Sequence, residues 1–173
     1  MDEKDNFHTF NEYMKKQKST LTASMEDYLE MLYRLSMKTG FIRIHELAQA
    51  LHVQPPSATK MVQRLAKLGY VKYEKYGFIT LEEKGIQTGR QLIDRHNTIE
   101  GLLRVLGISE NNLLMETEKV EHTLSKETIE RIEEFNEFIA GNSDISLRFQ
   151  AYRDLRKANR KAQDERKNKN NNK

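Results

Sequence analysis

Residues 47–81 read LAQALHVQPPSATKMVQRLAKLGYVKYEKYGFITL, and this stretch decides the fold. The segment Ile44–Leu51 carries Leu47, Ala48 and Leu51 at helical spacing, which predicts a short amphipathic helix. His52–Pro55 breaks it, and Pro56 or Ser57 opens the next helix, with Ala58, Met61, Val62, Leu65 and Leu68 as its apolar face. Two helices joined across a short break, with small residues at the crossing, match a helix-turn-helix. Val71, Tyr73, Gly77 and Ile79 then read as two short strands around a turn near Lys75–Gly77. That hairpin is a wing, and it buries one face of the preceding helix.

Upstream, Met25, Tyr28, Leu29, Leu32, Tyr33 and Leu35 recur at helical intervals, with Ser24 or Thr22 as cap and Gly40 as stop. Residues 1–21 are polar and weakly periodic, and are expected to be a flexible extension. Downstream, a long helix runs from about Glu82 to Leu106, continuous in pattern despite Gly85 and Gly89, and Gly107 ends it. Shorter helices follow over Glu110–Thr123 and, behind a Ser125 cap, Lys126–Ala140, where Ile129, Ile132, Phe135, Phe138 and Ile139 form an apolar face that needs a partner. A basic helix over about Asp144–Asp164 runs into KNKNNNK, a low-complexity end expected to be disordered.

The 173 residues suit one domain or a small pair. Cysteine is absent, which excludes disulfides, thiolate nucleophiles, iron–sulfur clusters and Cys-ligated zinc. No 18-residue apolar run exists, and MDEKDNFHTF lacks a signal peptide's apolar region, so the chain is expected to be cytoplasmic, with no membrane partner. The net charge of +3 is unevenly spread. Residues 148–173 hold ten basic and three acidic groups, residues 41–80 six and two, whereas 110–140 hold nine acidic and three basic. One section suits a polyanion and another a cation, although solvated helix faces would give the same pattern.

A helix delivered by a helix-turn-helix fits the DNA major groove, where Gln, Arg and Lys meet base edges and Ser, Thr and Lys meet phosphates. Ser57, Thr59, Lys60, Gln63 and Arg64 are the candidates there, with Lys67, Lys72, Lys75 and Tyr76 near the backbone. The alternative is a solvated face on a protein-interaction domain. For a metal, Asp27 and Glu30 share a face of the first helix, Glu118, Glu121 and His122 cluster on the acidic helix, and His96 sits among Leu92, Ile93 and Ile99 on the long one. Oxygen donors with imidazole suit Mn²⁺ or Fe²⁺ better than Cu⁺, and Zn²⁺ and Co²⁺ would also bind. Spacing alone does not bring the three helices together, and each group also reads as surface decoration or a core histidine.

SMEDYLEMLY, the helix-turn-helix and wing, DRHNTIEGLLRVLG and EKVEHTLS, taken in order, resemble the manganese-responsive branch of the diphtheria-toxin-repressor (DtxR) family, over residues 22 to about 160. The resemblance implies a mainly α fold: a winged helix-turn-helix DNA-binding domain at 22–90, a helical dimerisation and metal-binding domain at 91–165, and a disordered tail at 166–173. It implies metal ligands at Asp27, Glu30, His96, Glu118, Glu121 and His122, holding two Mn²⁺ per subunit, with Glu30 and Glu118 as bridging candidates. Iron-responsive relatives carry Met at the position of Asp27 and Cys at that of Glu121, and those replacements favour manganese here. Resemblance to the manganese branch implies no SH3-like domain of the kind iron-responsive members carry. The N-terminal extension with His8 and the Pro55–Pro56 pair depart from the family pattern.

The implied function is repression of manganese uptake genes by a homodimer on a palindromic double-stranded operator, with metal promoting DNA binding. Alternatives are a metal-independent winged-helix regulator or an iron-responsive member. An enzyme acting on a small-molecule substrate is disfavoured, because no glycine-rich phosphate loop, HExxH motif or paired Glu-x-x-His helices occur.

Overall fold

The computed structural model describes residues 21–74 and 77–171. The N-terminal stretch to residue 20, with His8, and the wing residues Lys75 and Tyr76 lie outside the described residues. The elements are α1 (Ala23–Thr39), β1 (Ile42–Arg43), α2 (Ile44–Ala50), α3 (Pro55–Lys67), β2 (Val71–Tyr73), β3 (Phe78–Leu81), α4 (Glu83–Leu106), α5 (Glu110–Glu121), α6 (Lys126–Gly141) and α7 (Ser143–Asn171). The chain divides into two compact units, one reaching to Asn97 and taking in Glu118–Thr123, the other comprising Thr98–Thr117 and the chain from Leu124.

In the first unit, Thr22 caps α1, its hydroxyl accepting from the Met25 amide at 3.4 Å. Gly40 ends the helix at φ 75°, its amide donating to the Ser36 carbonyl at 2.8 Å, the left-handed stop that glycine adopts without strain. Helix α3 starts at Pro55, earlier than expected, with Gln54 at the cap. Both prolines occupy first-turn positions whose missing N–H groups have no intrahelical acceptor in any case, so the pair starts the helix and does not interrupt it. His52, in the turn between α2 and α3, is the described non-glycine residue at positive φ, 54°.

The wing is part of a three-stranded antiparallel sheet of order β1-β3-β2, with Ile42 opposite Ile79 and Val71 opposite Leu81. Strand β1 is an addition to the expected elements, because two residues carry no alternation to read. Leu29, Leu32, Ile42, Leu47, Ala58, Val62, Leu65 and Ile79 form the core of this unit. Each large side chain buried there contributes about 1.5–3 kcal/mol. Leu21, placed in the extension by the sequence boundary, is buried in the same core.

Gly85 and Gly89 explain why α4 tolerates poor helix formers. A Cβ at Gly85 would collide with the Tyr70 carbonyl oxygen, and one at Gly89 would lie 2.6 Å from Tyr33 Cβ. Glycine lets α4 approach the β2 entrance and α1 closely enough to carry its next two turns to the acidic residues of α1.

In the second unit Ile99, Leu113, Thr117 and Ile139 are buried, and Asn136 Nδ2 donates to the Thr98 carbonyl at 2.8 Å. Ser125 caps α6, accepting from the Thr128 amide at 3.2 Å. Leu114, Met115, Phe135, Phe138 and Leu147 remain exposed. Helix α7 runs to Asn171, past the expected end near Asp164, since its Arg, Lys, Ala and Glu residues are good helix formers. No helix among the described residues is long and apolar enough to cross a membrane.

Candidate metal centre

All six anticipated ligand residues are brought together within the first unit, although they come from three helices. One group joins Asp27, Glu118, Glu121 and His122, and the other joins Glu30, His96 and Glu121, with one donor atom from each residue of a group within 4.8 Å of the others. Asp27 and Glu30 lie near the start of α1, His96 on α4, and Glu118 and Glu121 on the last turn of α5. His122 sits just past that helix, in a turn held by the Thr123 amide and hydroxyl donating to the Val120 carbonyl.

Glu121, 1% exposed, is the residue common to both groups. Its Oε2 lies 2.8 Å from His96 Nδ1 and its Oε1 lies 3.3 Å from His122 Nε2, so one carboxylate turns an oxygen toward each group. Family resemblance nominates Glu30 and Glu118 for the bridging position instead. Glu30 is largely engaged elsewhere, its Oε1 taking two donors of Arg34 at 2.7 and 2.9 Å.

The donor set fits a hard divalent cation. Asp27 Oδ1 stands 2.7 Å from His122 Nε2, yet this buried oxygen accepts no directed hydrogen bond. An imidazole nitrogen and a carboxylate oxygen held this close, off the axis of a hydrogen bond, converge as ligands of a third atom do. With carboxylates and imidazoles only, Mn²⁺ or Fe²⁺ suits the site, and Zn²⁺ or Co²⁺ would also be held.

Electrostatics carry the same signature of concentrated negative charge. Burial first, then the neighbouring Glu121, pushes the Glu118 carboxyl above its ordinary range. The hydrogen bond with Glu121 raises His96 despite its burial. His122 is pushed up from 6.5 to about 10, chiefly by its contact with Asp27 and then by its hydrogen bond to Glu26. In the metal-free protein the imidazolium thus offsets part of the carboxylate charge.

The sign of the resulting pH dependence follows from linkage. A raised folded-state value stabilises the fold fully below the unfolded value of about 6.5, and that stabilisation is lost as pH rises through about 10. Melting temperatures of the metal-free protein are expected to fall from neutral pH toward about 10, with His122→Ala losing that part of the dependence. A melting series in chelator checks this.

Two residues that sequence reasoning missed adjoin the ligands. Arg95 Nη2 lies 2.6 Å from Glu26 Oε2, and the same oxygen is 2.8 Å from His122 Nδ1. Burial pushes the Glu26 carboxyl up, but the His122 and Arg95 hydrogen bonds outweigh it and hold the group below its ordinary range. The available signal was adjacency, Glu26 to Asp27 and Arg95 to His96. An acidic residue in a helix's first turn, however, reads as a partner of the helix dipole.

Of the DNA-facing candidates, Ser57, Lys60, Gln63, Arg64 and Lys67 are exposed on α3, opposite Ala58, Val62 and Leu65, which are buried. Thr59 is half-buried, its hydroxyl donating to the Pro55 carbonyl at 2.9 Å. Lys72 is exposed on β2, 3.0 Å from Glu74.

Comparison with known proteins places this arrangement. The profile of the iron dependent repressor N-terminal DNA binding domain matches residues 20–79, and that of the iron dependent repressor metal binding and dimerisation domain matches residues 82–146. The HTH-type transcriptional regulator MntR of Lysinibacillus sphaericus (strain C3-41) is 42% identical over 130 residues, 75% of this chain and 94% of that protein. The chain belongs to the DtxR/MntR family of metal-responsive helix-turn-helix regulators. MntR of Geobacillus kaustophilus (strain HTA426) is similarly related, 41% identical over 80% of this chain and 96% of that one. Among solved structures, that of the manganese regulator SloR superposes with a TM-score of 0.58 at 30% identity, covering 66% of this chain and 54% of that one. The chain thus spans about half the length of that structure, and nearly all of the two MntR relatives.

Family membership makes this a DNA-binding, homodimeric transcriptional regulator and not an enzyme. Its architecture is a winged helix-turn-helix followed by a helical dimerisation domain.

Proposed function

We propose that the protein is a manganese-responsive repressor of manganese uptake genes, acting in the cytoplasm as a homodimer on a palindromic operator. The observation that carries this reading is the convergence of six oxygen and imidazole donors into two groups that share Glu121. Its relatives named MntR and the manganese regulator SloR point to the same cation.

Asp27, Glu118, Glu121 and His122 would hold one ion and Glu30, His96 and Glu121 a second. When bound, Mn²⁺ would supply the positive charge that the crowded carboxylates lack, its ligands coming from α1, α4 and the end of α5. Helix α1 packs on α3 through the shared core, so the ligands sit one helix away from the surface that meets DNA. Metal and DNA then act on one equilibrium, each raising affinity for the other by the same factor. In this reading residues 22–90 form the DNA-binding part and supply Asp27 and Glu30, while 91–165 form the dimerisation part and supply the other four ligands.

At the operator, Ser57, Thr59, Lys60, Gln63 and Arg64 face the major groove, with Lys67, Lys72, Lys75 and Tyr76 at the phosphates. Arg64→Ala is expected to weaken operator binding with metal uptake unchanged. If Arg64 meets phosphate, the slope of log affinity against log salt drops by about 1; if it reads a base, discrimination at one position relaxes. Binding isotherms at several salt concentrations separate the two.

Equilibrium dialysis against Mn²⁺ tests the metal reading directly. Two ions per chain are expected. No uptake by the folded dimer would leave these carboxylates as a structural ion-pair cluster and the protein a metal-independent regulator. Higher operator affinity with Fe²⁺ than with Mn²⁺ would assign the iron-responsive alternative.

A further inference from the structure

His122 is held at both ring nitrogens by consecutive residues of α1. Asp27 Oδ1 is 2.7 Å from Nε2, and Glu26 Oε2 is 2.8 Å from Nδ1. Neighbouring helical residues project about 100° apart, which is how two adjacent carboxylates reach opposite sides of one ring. Asp27 belongs to a group of converging donor atoms and Glu26 does not. The two carboxylates therefore do different things to the same imidazole.

Arg95 borders the same side of the ring. Its Nη2 is 2.6 Å from Glu26 Oε2 and 3.2 Å from His122 Nδ1. A guanidinium has donors only, so there is no acceptor on Arg95 for an Nδ1–H. Arg95 and an Nδ1–H can therefore both donate to the one Glu26 oxygen that lies within hydrogen-bond distance of each. With one proton held on Nδ1 by Glu26, loss of the other on metal binding would leave the lone pair on Nε2, which faces Asp27 Oδ1 at 2.7 Å and Glu121 Oε1 at 3.3 Å. Side-chain exposures of 21%, 15% and 14% for Arg95, Glu26 and His122 mean that water competes weakly for these bonds.

We propose that Glu26, itself fixed by Arg95, is a positioning residue that sets the tautomer and ring orientation of His122 so that Nε2 is presented to the metal. The proposal rests on the metal reading above. Outer carboxylates that accept from a ligating histidine commonly govern metal affinity in this way, with losses of about 10- to 100-fold on removal. Arg95 acts one step further out. It keeps Glu26 from turning to solvent or toward the cation as an additional ligand.

The experiment titrates Mn²⁺ calorimetrically into the wild-type dimer, Glu26→Ala, Glu26→Gln and Arg95→Ala. It adds long-range proton–nitrogen NMR of the same proteins loaded with diamagnetic Cd²⁺. Glu26→Ala is expected to weaken Mn²⁺ about 10- to 100-fold and to lose the single Nδ1–H form of His122. Glu26→Gln, which keeps an acceptor oxygen, is expected to restore that form and most of the affinity. Should Glu26→Ala fail to fold, Glu26→Asp, one methylene short of Nδ1, takes its place with both readouts. Unchanged affinity and tautomer in these variants, or lower affinity with the tautomer intact, would overturn the proposal. No Mn²⁺ uptake by the wild type would instead overturn the metal reading itself.

Discussion

Glu121→Ala is expected to abolish the manganese response of operator binding, while the winged domain remains folded. The residue belongs to both groups of converging donors, so its removal takes a ligand from each site at once, whereas Asp27→Ala or His96→Ala strips only one. A loss of about 100-fold or more in Mn²⁺ affinity is expected, beyond the about 10- to 100-fold range typical of an outer residue. Asp27→Ala should leave the Glu30, His96 and Glu121 group able to take one ion. Calorimetry therefore distinguishes the two, with both binding events weakened for Glu121→Ala against one ion per chain retained at near wild-type affinity for Asp27→Ala. Removing the carboxylate also strands His96, whose Nδ1 lies 2.8 Å from Glu121 Oε2. Circular dichroism must accompany the titration for that reason.

The second large effect concerns stability and has a sign that helix propensity alone gets wrong. Gly85 lies inside α4, where replacing glycine by alanine gains about 1 kcal/mol on intrinsic grounds. A Cβ there would nevertheless collide with the Tyr70 carbonyl oxygen, which is backbone, and come within 3.0 Å of Leu81 Cδ2. The Tyr70 oxygen accepts from the Glu82 amide at 3.0 Å, so moving it costs that bond as well. Overpacking penalties of about 1–3 kcal/mol or more exceed the propensity gain, and Gly85→Ala is expected to lower the melting temperature by several degrees. Gly141→Ala is the control. Gly141 closes α6, a Cβ added there would meet nothing within 4 Å, and the substitution is expected to be neutral or slightly stabilising. Differential scanning calorimetry on both variants reads the contrast, and stabilisation by Gly85→Ala would refute the close approach of α4.

Much of this architecture is legible in the sequence, because helix starts and stops have local causes. Thr22, Gly40, Ser125 and Gly107 mark element ends whichever way the chain packs. The apolar spacing of Ala58, Val62 and Leu65 fixes which face of α3 is buried. Strand β1 is not legible, since Arg43 and Ile42 become a strand only by pairing with Phe78 and Ile79. The start of α3 is uncertain by a residue or so in sequence, as two adjacent prolines fit either the break or the first helical turn.

The candidate site is legible in a different sense. Helical spacing pairs Asp27 with Glu30, and Glu118 with Glu121, but it says nothing about which helices meet; family resemblance supplies the expectation that they do. Neither source reveals that the two oxygens of Glu121 face different groups, because that depends on a side-chain torsion set by packing. Arg95 and Glu26 are hidden for a related reason. Their partner, His122, is separated from Glu26 by 96 positions, and no local pattern links them.

Metal gating of DNA binding is tested by fluorescence anisotropy of a labelled manganese-uptake promoter fragment, titrated with metal-free dimer and with the same dimer in excess Mn²⁺. Operator affinity that rises steeply with Mn²⁺, and fails to rise for Glu121→Ala, is the predicted result. Equal affinity with and without Mn²⁺ would contradict it, leaving a DNA-binding regulator whose buried carboxylates serve some other end.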